Sequence, residues 1–136
     1  MEKDDDDKLI KALEDETNAY LFDLTTDKMH EQVKKLLAEL KLPRKIEREY
    51  AKKLEYYKLA DDLTKIKYGS YVRWIVLDDF SLANGAIFCD LVDEDTMRCK
   101  NFAGRYFQIR TDECLVFQKL TNQEMVILSA MDHLSK

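Results

Sequence analysis

Apolar residues recur every three or four positions through the first half of the chain and approach strict alternation after residue 69. Leu9, Ile10 and Leu13 begin the helical pattern and predict a first helix over about residues 6–22. Met29, Val33, Leu36, Leu37 and Leu40 predict a second helix, with Thr25 or Thr26 as its N-cap. Pro43 ends that helix and suits the first turn of a third, expected to run to about Ile66 with Gly69 just beyond. The third pattern changes side midway. Ile46, Tyr50, Leu54 and Tyr57 share one face, whereas Tyr56, Leu59, Leu63 and Ile66 share nearly the opposite one. Such a helix is expected to bridge two packing partners, the first two helices and then the region after Gly69.

The three glycines, Gly69, Gly85 and Gly104, all lie beyond residue 68, where β-rich runs begin. Five strands are predicted at about 70–78, 85–92, 96–102, 105–110 and 113–119. Asn84-Gly85, Asp93-Glu94-Asp95 and Ala103-Gly104 supply the turns. Alternation assigns Val72, Trp74, Val76, Ile87, Cys89, Leu91, Phe107, Ile109, Leu115 and Phe117 to an inner face, with Trp74 buried. Thr121 and Glu124 form a capping box before a last helix whose apolar face is Val126, Ile127, Leu128, Ala130, Met131 and Leu134. That helix is expected to dock on the strands or on the helical half. The expected fold is α+β: a helical region over 1–68, then over 69–136 a five-stranded SH3- or Tudor-like small barrel, or strongly bent antiparallel sheet, with a C-terminal helix.

Composition narrows the functional classes. The chain has 136 residues, enough for one domain or two very small ones, and no apolar run approaches the ~20 residues that span a bilayer. No membrane partner and no export are expected, so the three cysteines, Cys89, Cys99 and Cys114, read as reduced thiols of a cytoplasmic protein. Asp4 to Lys8 match the recognition sequence of enteropeptidase, as an added cleavage site or as native sequence through which the apolar spacing continues. The net charge of −5 divides into −7 over residues 1–31, +6 over 32–75 and −4 over 76–136, a pattern suited to pairing between acidic and basic blocks.

The catalytic inventory is thin. His30 and His133 are far apart in sequence and belong to no recognised ligand pattern, so neither metal nor cofactor is expected. Asp112 and Glu113 oppose thiolate formation at Cys114. Asp78-Asp79 and Asp93-Glu94-Asp95 fall at turns, where exposed acids are common. Two surface features are better candidates. Lys45, Arg48 and Lys52, supported by Lys41 and Arg44, form a basic stripe suited to phosphates or an acidic protein, interrupted by Glu47, Glu49 and Glu55. Tyr71, Arg73, Phe88, Lys100, Phe102, Tyr106 and Arg110 are expected on the outer face of the sheet, a mixture suited to a peptide, a methylated amine or single-stranded nucleic acid. Either that face is open, or the helices pack on it and make its aromatics core.

Gly69-Ser-Tyr-Val-Arg-Trp-Ile75, Leu82-Ala-Asn-Gly-Ala-Ile87, Cys99-Lys-Asn-Phe102 and Val116-Phe-Gln-Lys-Leu120 resemble small uncharacterised proteins of nucleocytoplasmic large DNA viruses. In those, a Tyr-x-Arg-Trp-Ile strand precedes a glycine-containing turn and a late Ile-Phe-x-Lys strand; here Asn84-Gly85 replaces the usual glycine pair. The resemblance covers about residues 69–120 and implies a viral origin, a place in the host cytoplasm or the virion, and no active site. Ala38 to Pro43 also look like part of a cyclin-type repeat, but that fold needs successive helices where this chain turns to strands. The expected function is therefore a non-enzymatic protein-interaction module, a viral structural or accessory protein able to form homo-oligomers. The alternative is a small nucleic-acid-binding factor using the basic helix 41–58 and the sheet aromatics.

Overall fold

A computed structural model describes residues 2–14, 18, 21 and 24–135. The chain divides into two compact units, residues 1–32 with 120–136 and residues 33–119. Helix α2 (Thr26–Glu39) runs across that division as one continuous element.

In the first unit, α1 (Glu2–Glu14) pairs with α4 (Asn122–Leu134), so the last helix packs on the helical half. The expected continuation of α1 to residue 22 falls mostly outside the described residues. Ala12, Leu21, Met29, Ile127 and Leu128 form the core, with Leu120 beside them. Thr25 is the N-cap of α2, its hydroxyl accepting from the Lys28 amide at 3.2 Å. Thr26 does a different job, donating its amide and hydroxyl to the Asp132 carboxylate at 2.8 and 2.6 Å. The capping box of α4 is formed as the sequence implies: Thr121 Oγ1 accepts from the Glu124 amide and Glu124 Oε1 from the Thr121 amide.

Glu124 is fully buried, and burial raises its carboxyl from 4.5 to about 7. Between those values the folded chain holds a proton that the unfolded chain has lost, so stability is expected to fall as pH rises through that window. Glu124→Gln keeps an N3 capping residue without the charge. Its urea midpoint should exceed the parent's above pH ~7, with the difference closing toward pH ~4.5; a parallel pH profile for the two proteins rejects this.

In the second unit, helix α3 spans only Arg44–Lys53 and does not reach Ile66. The chain continues as a short strand, β1 (Tyr57–Leu59), and a single 3-10 turn over Leu63–Lys65 capped by the Asp62 side chain. The change of apolar side is thereby explained. Leu54, Tyr57 and Leu59 pack with Val33, Leu37, Ile75 and Phe117 in one core, whereas Ala60, Leu63 and Ile66 belong to another. The chain crosses from one face of the sheet to the other at its edge, and α3, β1 and the 3-10 turn take the place of the single expected helix.

The remaining strands are β2 (Tyr71–Val76), β3 (Ala86–Asp93), β4 (Thr96–Lys100), β5 (Tyr106–Arg110) and β6 (Cys114–Lys119); all lie within the expected spans except β3, which runs one residue further and takes Asp93 from the expected turn. With β1 they make six strands in the order β1-β6-β2-β3-β4-β5, every neighbour antiparallel. The sheet is open. Among the described residues the two end strands do not pair, so the closed barrel is replaced by an open sheet, and the three-residue β1 was too short to leave a periodic signal.

The single inner face also needs correction, because both faces are packed. Val72, Ala86, Phe88, Met97, Cys99, Val116 and Ile66 form the core on one face, flanked by Leu91, Phe107, Ile109 and a half-buried Trp74. Leu115 and Phe117 lie on the other, with Ile75, under α3 and the second half of α2. Register shifts in β3 around Cys89 and Val92 put Phe88 and Leu91 on the same side, inverting the simple alternation. Ile87 therefore faces away from Val72, and Trp74 sits at the core's margin, its ring 6.1 Å from that of Phe107.

Candidate functional site

The face that α3 covers is covered only in part. Strand pairing aligns Tyr57 with Lys119, Tyr71 with Ile87, Ile87 with Lys100 and Lys100 with Tyr106. Continuing the β2–β6 register one step sets Lys119 opposite Tyr71. One transverse row thus crosses the sheet on a single face: Tyr57, Lys119, Tyr71, Ile87, Lys100, Tyr106. Side chains one strand apart are about 4.8 Å apart, so Tyr71 and Tyr106 are separated by about 14 Å.

Apart from Ile87, the row alternates rings and cations, and the contacts follow from it. Lys119 Nζ lies 5.9 Å from the Tyr71 ring centre, and Lys100 Nζ lies 5.6 Å from that of Tyr106. Arg98, two residues before Lys100 and on the same face, places Cζ 5.4 Å from Tyr106. Its guanidinium also grips Asp90 through two bonds of 2.9 Å. Phe102, at the tip of the β4–β5 hairpin, stacks on Tyr71 with ring centres 5.8 Å apart. The hairpin is held by Asn101, whose amide donates to the Arg105 carbonyl and whose side-chain oxygen accepts from the Arg105 amide, both at 3.0 Å. Tyr71, Phe102 and Tyr106 nevertheless stay 37%, 77% and 60% exposed.

Of the sheet residues singled out in the sequence, Tyr71, Lys100, Phe102 and Tyr106 come together. The others do not. Arg73 is half-buried, and its Nε donates to the Ala83 carbonyl at 2.9 Å, holding the β2–β3 connection. Phe88 is core on the opposite face, for the reason given by the shifts in β3. Arg110 is exposed but paired with Asp112 at 3.0 Å. Lys41, Arg44, Lys45, Arg48 and Lys52 are exposed, and none makes a ring contact with the aromatic row among the described residues. Glu49 is committed to Lys53 at 2.8 Å, and that bond holds its carboxyl below the ordinary range.

Arg98, Lys119, Tyr57 and Ile87 were missed. Arg98 was legible, since it sits two positions from Lys100; Lys119 and Tyr57 join the row only through the β1–β6–β2 pairing.

Two of the turn carboxylates hold their own loops. Asp79 accepts from the Ser81 amide and hydroxyl, and Asp93 accepts from the Asp95 amide. All three thiols are free, and burial pushes Cys99 up to about 12. Burial raises Cys114 as well, with Glu113 and Asp112 adding to the effect. Burial also brings the Lys58 ammonium down to about 8. Among the described residues, no group of three or more His, Cys, Asp or Glu side chains could hold a metal ion, and no helix is long and apolar enough to cross a membrane. No protein-family model matches the chain, and comparison with curated proteins and with solved structures gives no match.

Proposed function

We propose that this protein is a non-enzymatic interaction module that binds an extended, acidic segment of a protein partner along the ring-and-cation row. The observation that carries this reading is the exposure of Tyr71, Phe102 and Tyr106 beside Lys100, Lys119 and Arg98 on one rigid sheet. Rings held on strands and a tight hairpin give contact area at little entropic cost, and cations between them favour carboxylates. The net charge of −5 favours a discrete acidic peptide over a polyanion, which the whole chain repels. On the resemblance of residues 69–120 to proteins of large DNA viruses, the module is a viral structural or accessory protein.

A second reading rests on the same rings, because exposed aromatics flanked by cations also stack single-stranded bases, and the exposed stripe on α3 adds phosphate contacts. Amide-resolved NMR separates the two. A synthetic peptide alternating Glu and Phe should shift Tyr71, Phe102 and Tyr106 saturably, and Tyr71→Ala with Tyr106→Ala should weaken it by about tenfold or more. An oligothymidylate should bind negligibly at physiological salt. Saturable oligonucleotide binding with a steep salt slope, and no peptide shift, sinks the first reading in favour of the second.

A further inference from the structure

The outer edge of β5 points to a second copy of this chain. Among the described residues this strand pairs with β4 on one side only. The Asn101 amide donates to the Arg105 carbonyl and the Thr111 amide to the Asp95 carbonyl, which fixes the phase of the ladder. Residues 105, 107, 109 and 111 turn their backbone groups toward β4. Tyr106, Gln108 and Arg110 therefore turn theirs outward, away from the sheet.

Open edges are ordinarily blunted by proline, lysine, a bulge or brevity. The other edge, β1, is blunted by its length of three residues. The β5 edge has five residues, no proline, no lysine and no register shift against β4, and its single charged side chain, Arg110, is paired with Asp112. Its sequence is also self-complementary about its centre. We infer that two copies join through antiparallel pairing of β5 with β5, with Gln108 facing Gln108 on the two-fold axis.

That register is the one the free backbone groups demand, since Tyr106, Gln108 and Arg110 then pair with Arg110, Gln108 and Tyr106. Every side chain meets a suitable neighbour. On the ring-and-cation face, Tyr106 lies beside Arg110 of the other copy, and Arg110 already has its charge balanced by Asp112. At the axis two glutamine amides can each donate and accept. On the opposite face the half-buried Phe107 and Ile109 meet each other, extending the apolar surface around Cys99 and Met97 across the junction. Like charges never face one another.

Sedimentation equilibrium of the full chain over a wide concentration range tests this, and a monomer–dimer equilibrium is expected. Gln108→Pro removes only the outward N–H, leaving the β4 ladder intact, and should abolish the dimer. Gln108→Lys sets two cations against each other on the axis and should raise the dissociation constant by about tenfold or more; it serves as the arbiter if circular dichroism shows that the proline variant is unfolded. A chain that stays monomeric throughout overturns the inference, even if its β5 edge takes a foreign peptide strand. So does a dimer that folded Gln108→Pro or Gln108→Lys leaves unchanged. Peptide shifts at Tyr71 and Phe102 report on the proposed function independently of this result.

Discussion

Phe117→Ala is expected to cost about 3–5 kcal/mol, a large share of the 5–15 kcal/mol that holds a small domain folded. Phe117 is fully buried and sits on β6 between Arg73 and Leu59 of the neighbouring strands. Above it lie Val33 and Leu37 of α2 and Leu54 at the end of α3, with Ile75 alongside. Strands and helix ends surround the ring, and a cavity left by its removal cannot close without moving paired backbone. Urea unfolding followed by Trp74 fluorescence gives the measurement. Phe102→Ala is the comparison, because that ring is 77% exposed and its loss should change stability by no more than about 0.5 kcal/mol. Equal midpoints for the two variants would show that the α2–α3 side of the sheet is not a packed core.

Gly85→Ala should cost about 3 kcal/mol or more, from two separate causes. The residue has φ of +110°, which side chains other than hydrogen rarely allow. A β-carbon there would also stand 2.9 Å from the Val72 carbonyl oxygen and 3.2 Å from Arg73 Cγ. Val72 is paired with Gln118 on one side and Ala86 on the other, so its carbonyl has little freedom to retreat. Gly69 separates the causes. It has φ of +78° with nothing within 4 Å, so Gly69→Ala should lose only about 1–2 kcal/mol. If both alanine variants unfold at the same urea concentration, the close approach at Gly85 does not restrain the fold.

How much of the binding surface could be read in advance depended on which bonds made it. Lys100 and Tyr106 face each other across a hairpin with a Gly104 turn, so local alternation sufficed to place them together. Phe88 departs from the expected face because the register shift around Cys89 breaks the period of two, and nothing in Phe-Cys-Asp-Leu marks where it falls. Arg73 shares its face with Tyr71, yet a carbonyl ten residues away holds its side chain. Alternation assigns a face; it does not say what a side chain will bind there.

The chain's own periodicities, turns and caps determined the mixed α and β character, the five main strands, the capping box of α4 and the left-handed turn at Gly85. These depend on residues a few positions apart, whose energetics are local and survive any arrangement of the rest. Tertiary structure alone decided the end of α3 at Lys53, the partition of β6 between two cores and the open edge at β5. Each depends on pairing between distant segments. Tyr57–Leu59 becomes a strand because β6 offers it a ladder some 60 residues later, and Lys119 reaches Tyr71 because that ladder fixes the register. Backbone groups must find partners, but the sequence does not encode which distant strand supplies them until the whole sheet is assembled.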